Sequence, residues 1–130
     1  MTHPRRILLA VTGLSPQVVT ETLYALGVAA GQGGESAFTP TEVHLITTEQ
    51  GADIARTSLL HPDGRQFHAL LRDYPQLGHP TFDDAHIHTI HDAAGQPLAD
   101  IRTPQENAAA ADSITALMAQ LTRDPQAQLH

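Results

Sequence analysis

The chain of 130 residues contains no cysteine and no lysine. The first absence rules out disulfides, thiolate metal ligands and a cysteine nucleophile, and it fits a reducing compartment. The second rules out Schiff-base chemistry and a P-loop ammonium. Lys and Arg together number 7, all of them arginine, against 14 Asp and Glu, for a formal charge of −7. No broad basic face can be assembled from that set, which argues against binding long nucleic acid through many cationic phosphate contacts. Long apolar runs are missing too. The longest aliphatic stretch, Ile7 to Val11, is far short of the roughly 20 residues that cross a bilayer, and Arg5 and Arg6 lead into no signal-peptide core. A cytoplasmic protein, neither spanning nor entering a membrane, is expected. The G-x-G-x-x-G spacing is also absent. Gly31 to Pro40 is glycine-rich, but it follows a helical pattern, so a mobile surface loop is expected there instead of a phosphate cradle.

The stretch from Arg6 to Leu26, RILLAVTGLSPQVVTETLYAL, organises what is present. A short apolar run bounded by charge and by Gly13 reads as a strand buried on both faces of a parallel sheet. Ser15 before Pro16 reads as a helix cap with proline at the first helical position. Val19, Leu23, Leu26 and Ala30 then recur at helical spacing. A helix opening at the carboxyl end of a buried strand presents backbone N–H groups and the positive end of its dipole, which makes an anion site.

Farther along, EVHLITT (residues 42–48) alternates as a second strand, Gly51 reads as its closing turn, and Ala52, Ala55 and Leu59 share a helical face. His61-Pro62-Asp63-Gly64 should stop that helix, with a short helix from Gln66 to Asp73 beyond it. His86 to Ile90 reads as a strand, with Leu98 to Ile101 as its hairpin partner across Asp92 to Pro97. Thr103-Pro104-Gln105-Glu106 has the form of a capping box, followed by Ala110, Ile114, Leu117 and Leu121 on one helix face. The last residues call for another strand, and the chain reads as lacking the C-terminal strands of the layer it begins. Strands alternating with helices in a single domain, 1–130, predict a Rossmann-like, mostly parallel α/β sheet. Ligands of such sheets bind beyond the carboxyl ends of the strands.

That placement makes Thr12, Gly13, Leu14, Ser15, Pro16 and Gln17 candidate binding residues, joined by Thr47 and Thr48 from the second strand. The two threonines also read as plain strand formers and a helix cap. Asp100, Arg102, Thr103 and Asn107 make a second group. Arg102 suits a bidentate phosphate contact or an ion pair with Asp100 or Glu106, and Asn107 suits an adenine edge or nothing more than a helix start. His86, His88 and His91 lack a paired carboxylate at ligand spacing, although Asp83 and Asp84 lie near in sequence. Solvated strand histidines are expected, with no metal and no cofactor. Gly13-Leu14-Ser15-Pro16-Gln17 lacks the second glycine of a serine-hydrolase elbow.

The residues ILLAVTGLSPQVVTETLYAL resemble the N-terminal signature of the CRISPR-associated ring nuclease and CARF-domain family, small type III CRISPR accessory proteins. EVHLITTEQG, the segment ending DIRTPQENAAAAD and the last helix extend the resemblance over nearly the whole chain. It implies a CARF-type Rossmann-like homodimer that holds cyclic oligoadenylate, in the ring nucleases cyclic tetra-adenylate, across its two-fold axis and cuts it to linear di-adenylate without metal. Ser15 matches the family serine at the scissile ribose or phosphate. The family continues past the position of Leu129-His130 into a strand and a glycine-rich turn carrying cationic groups. The resemblance therefore implies either a ring nuclease or, lacking that turn, a CARF sensor that binds the ligand and regulates a partner.

Overall fold

The computed structural model describes residues 5–15, 17–32, 38–60, 66–92, 94–98, 103–123 and 127–129. Four strands, β1 (Arg5–Val11), β2 (Glu42–Thr47), β3 (Ile87–Thr89) and β4 (Ala127–Leu129), form one sheet in the order β3-β2-β1-β4. Every neighbouring pair is parallel, with Leu8 opposite Val43, Leu45 opposite Ile87 and Ile7 opposite Leu129. Parallel neighbours need helical crossovers, and the helices α1 (Val18–Tyr24), α2 (Ala30–Gln32), α3 (Glu49–Ala55), α4 (Gln66–Asp73) and α5 (Pro104–Leu121) lie between the strands in sequence. The chain is an α/β domain with a Rossmann-like sheet. Strand order reverses between β1 and β4, so the ligand crevice of such a fold lies beyond the carboxyl end of β1. Among the described residues no helix is long and apolar enough to cross a membrane.

Strand alternation sends side chains to two cores. Leu8, Val43, Leu45 and Ile87 pack with Val19 and Leu23 of α1, Ala52 and Ala55 of α3 and Phe67 of α4. On the other face Ile7, Ile46 and Ile90 pack with Ala110, Leu117 and Leu121 of α5. Each fully buried aliphatic side chain contributes about 1.5–3 kcal/mol, so these two layers hold the sheet between its helices.

The structure moves several elements from where the sequence pattern puts them. The first helix opens at Val18 with Gln17 at its N-cap, which makes no side-chain capping bond; Ser15 is not the cap, although its carbonyl accepts from the Val18 amide at 3.5 Å. Past Tyr24 the helix runs through a π turn, Ala25–Ala29, into α2. The wide turn advances the buried face, so Gly27 and Val28 are buried there while Ala30 is only partly covered. Gly51 is no turn residue: it lies within α3, behind the Thr48 cap. The described part of the expected hairpin is present, with an antiparallel bridge between His91 and Pro97 and the Leu98 amide donating to the Ile90 carbonyl at 2.8 Å, while β3 also pairs in parallel with β2. Ile87 is buried in one core and Ile90 in the other. Asp92 closes the bridge by accepting from the amides of Ala94 and Gln96, each at 2.9 Å, with Gly95 at φ 81° where only glycine sits without strain. The glycine-rich 33–37, the 61–65 turn and residues 99–102 lie outside the described residues.

Helix α4 matches its expected span, and α5 begins as anticipated, with the Thr103 hydroxyl accepting from the Glu106 amide at 3.1 Å and proline in its first turn. The strand called for at the end of the chain is β4.

Candidate functional site

The carboxyl rim of the sheet is built by β1 and β2 together. Where β1 ends, the Thr12 amide donates to the Ile46 carbonyl at 3.1 Å, carrying the sheet's pairing one residue further. The Thr47 hydroxyl, fully buried, donates to the Gly13 carbonyl at 3.1 Å. Thr48 caps α3 by accepting from the Gly51 amide at 3.2 Å. The loop after β1 is thus tied to the first turn of α3, and Gly51 is the residue that permits it. A Cβ at that position would lie 2.1 Å from the Thr47 hydroxyl oxygen and 2.3 Å from the Gly13 carbonyl oxygen. From the other side, the Glu49 amide donates to the Leu98 carbonyl at 2.7 Å, which draws the segment after β3 onto the same rim.

One group in this rim has nothing to bond. The Thr12 hydroxyl is buried without a hydrogen-bond partner among the described residues, and Thr12 as a whole is only 8% exposed. A buried polar group left unpaired costs about 1–3 kcal/mol, so such a group calls for an explanation. Beside it Gly13, Leu14 and Ser15 are exposed. Leu14 and Val11 are also two of the large apolar side chains most open to solvent, at 47% and 51%.

The residues expected to form the site therefore divide. Thr12, Gly13, Leu14, Ser15 and Gln17 gather at the end of β1, with Thr47 and Thr48 beside them holding the backbone in place through their own hydroxyls. Thr103 and Asn107 are at the start of α5, where the Asn107 amide donates to the Thr103 carbonyl at 2.9 Å. Pro16, Asp100 and Arg102 lie outside the described residues. A cavity of about 850 Å³ opens between the His91–Leu98 segment and α5, away from Ser15. Asp92, Glu106 and Asp112 on its wall make it a poor seat for a phosphate. The rim at Thr12 is the better candidate for an anion, because it combines an unpaired hydroxyl with an exposed loop that carries no carboxylate.

A second polar group was missed by sequence reasoning. Glu42 and His44 on β2 lie beside His86 and His88, the β2–β3 register placing Ile46 opposite His88. His44 stacks on His86 with ring centroids 4.0 Å apart and 15° between planes. Its Nδ1 pairs with His88 Nε2 at 2.9 Å and its Nε2 with Glu42 Oε1 at 3.3 Å. Arg5 grips the same carboxylate, its Nε to Oε2 at 2.5 Å and its Nη2 to Oε1 at 3.0 Å. The Arg5 hydrogen bond lowers the Glu42 pKa to about 2, against a rise from burial and with help from His44. Burial lowers the pKa of His44, opposed by Glu42 and aided by the neighbouring imidazoles; burial and His86 lower that of His88. Of the histidines expected to be solvated, His91 is exposed, whereas His86 and His88 are half-buried against His44, which is itself only 6% exposed. Period-two alternation put Glu42 with His44, and His86 with His88. Only the β2–β3 register, which a single sequence does not contain, brings the two pairs together.

A family model described as CRISPR-associated protein NE0113 matches residues 15–130, taking in Ser15 and every element after β1. No curated protein and no solved structure matches the chain.

Proposed function

From the premise that the chain belongs to the CRISPR-associated NE0113 family, we propose that it binds cyclic tetra-adenylate at the carboxyl rim of β1 and cuts it to linear di-adenylate. The observation that carries this reading is the unpaired, buried Thr12 hydroxyl beside the exposed Gly13–Ser15 loop. With the exposed Gly13–Ser15 loop shifted to admit it, a phosphate or ribose oxygen satisfies the buried hydroxyl, and the opening of the helix at Val18 adds N–H groups and the positive end of a dipole. The working unit is a cytoplasmic homodimer with the ring across its two-fold axis. Exposed Val11 and Leu14 supply apolar surface for the bases or for the second subunit.

The chemistry needs no protein nucleophile. The ribose 2′-oxygen attacks the adjacent phosphorus in line, forming the 2′-O–P bond of a 2′,3′-cyclic phosphate as the P–O5′ bond breaks. The 2′-hydroxyl proton leaves and the departing 5′-oxygen gains one. Holding the sugar and phosphate in line removes a large part of the barrier, and donors aimed at the phosphorane oxygens lower it further. In this reading Ser15, which is exposed, donates there together with the Gly13–Ser15 backbone. Thr47 acts one step back, by fixing the Gly13 carbonyl and so the direction of the loop.

Incubating the protein with cyclic tetra-adenylate in EDTA and separating the products tests the reading. Linear di-adenylate accumulating over many turnovers is expected, and an intact ring after prolonged incubation defeats cleavage. A second reading, a CARF sensor that binds the ring and passes the signal to a partner, is favoured by one feature: neither 12–17 nor 47–50 contains an arginine to neutralise the phosphorane. Calorimetric binding with the ring recovered intact would select it.

A further inference from the structure

β2 and the turn before β3 hold a donor set that the proposed chemistry at the carboxyl rim does not use. One ligand atom each from Glu42, His44 and His86 lies within 4.8 Å of the others. In each histidine the second ring nitrogen is already committed. His86 Nδ1 donates to the Val43 carbonyl at 2.9 Å, with the Thr81 carbonyl at 3.1 Å, which leaves the Nε2 lone pair free. His44 Nδ1 is taken by His88, which leaves Nε2, and that atom faces Glu42. Metal-binding histidines are oriented in this way, with the far nitrogen bonded to a carbonyl or to a further side chain. Neutral imidazole and ionised carboxylate are the forms a metal takes up.

We propose that Glu42, His44 and His86 bind a divalent transition metal, zinc being the ion best matched to two imidazoles and one carboxylate, with His88 as the residue that positions His44. Zinc accepts this mixture of nitrogen and oxygen ligands and leaves a fourth place for water, whereas magnesium and calcium require oxygen donors. Bonds of about 2.0–2.2 Å draw tetrahedral ligand atoms to roughly 3.4 Å apart. Glu42 therefore swings inward by about an ångström and the His86 ring turns out of its stack on His44, because the in-plane lone pairs of two parallel rings cannot meet at one ion; neither Glu42 nor His86 is fully buried. The metal replaces the proton between His44 Nε2 and Glu42, and His44 Nδ1 then carries the hydrogen bonded to His88 Nε2. Arg5 keeps Glu42 ionised while its own positive charge weakens the hold on the ion, so the site is of moderate affinity. Bound there, the ion joins β2 to the turn Asp84–His86 that leads into the edge strand β3, and so pins that edge.

The test is titration of the untagged, EDTA-stripped full chain with cobalt(II), followed by competition with zinc. One equivalent of cobalt giving the visible d–d bands of a four- or five-coordinate nitrogen–oxygen site, displaced by zinc, is expected. Glu42→Gln and His86→Gln should each abolish the bands. His88→Gln should weaken zinc about 10–100-fold, as loss of an outer partner does, while His79→Gln, an exposed histidine elsewhere, leaves both readings unchanged. Circular dichroism of each variant identifies any that has lost its fold, and Glu42→Gln and His86→Gln serve as independent checks on each other. Absence of the bands in the wild type, or zinc affinity unchanged in a folded Glu42→Gln or His86→Gln chain, overturns the assignment. Neither result bears on cleavage at Ser15, which is assayed in EDTA.

Discussion

The two ends of β2 are both polar and both largely buried, yet they are built differently. At the carboxyl end, Thr47 and Thr48 commit their hydroxyls to backbone groups of the neighbouring loop and helix, and the adjoining Thr12 hydroxyl has no partner among the described residues. At the amino end the polar side chains are linked in a chain: Arg5 to Glu42, Glu42 to His44, His44 to His88, with His86 bonded to two carbonyls. Linked polar side chains in a partly buried network rigidify one another; a buried hydroxyl without a partner carries a desolvation cost that nothing among the described residues offsets. The proposed ligand chemistry draws on the first end, and the linked side chains of the second tie the sheet to its edge strand.

The largest effect should come from the glycine that lets the rim close. Gly51→Ala drives a Cβ into the Thr47 hydroxyl and the Gly13 carbonyl, and overpacking of that kind is expected to cost about 3 kcal/mol, seen as a lower denaturation midpoint. Ser15→Ala should slow ring cleavage by about a hundredfold, the effect of losing one transition-state donor, while calorimetric affinity changes far less. Equal losses in rate and affinity would reduce Ser15 to a binding residue. Thr47→Val removes the bond to the Gly13 carbonyl while keeping the shape of the side chain, for a loss of about 1 kcal/mol in urea unfolding together with weaker ligand binding. Loss of stability with ligand binding intact would separate Thr47 from the site. Thr103→Ala, at the cap of α5, should cost about 0.5–1 kcal/mol in urea unfolding, the loss of one capping bond.

The mildest perturbation, acidification of the metal-free protein, reads the amino end. His44 and His88 have folded pKa values below their ordinary 6.5, so the unfolded chain binds more protons as pH falls through that value. Their contribution is complete above pH 6.5 and declines below it. Glu42 adds a later loss, between its ordinary 4.5 and about 2. His88→Gln should flatten the first decline in a series of melts without touching the second.

What was legible in the sequence depends on range. The strands β1 and β2, helix α4 and the capping box of α5 rest on neighbours in the chain, and the pattern places them well. The pairing of His86 to Ile90 with the segment across Asp92 to Pro97 was legible locally, but alternation could not show that the same strand also pairs with β2. Gly51 was misread as a turn since its reason, the approach of the Gly13 carbonyl, is a contact between loops distant in sequence. At the rim, the spacing brought Thr12 and Ser15 forward as candidates, but only the fold shows the Thr12 hydroxyl unpaired and those of Thr47 and Thr48 occupied. The histidine cluster depended on a register that no single strand encodes.

The most direct test of the rim as a ligand site is calorimetry of cyclic tetra-adenylate with the wild-type chain and with Thr12→Val, both in EDTA. If the Thr12 hydroxyl is satisfied by the ligand, the wild type binds and the variant, at least as stable when unfolded by urea, binds about tenfold more weakly, the effect of one buried hydrogen bond. Equal affinity in the two proteins, or no heat of binding in the wild type, would contradict it.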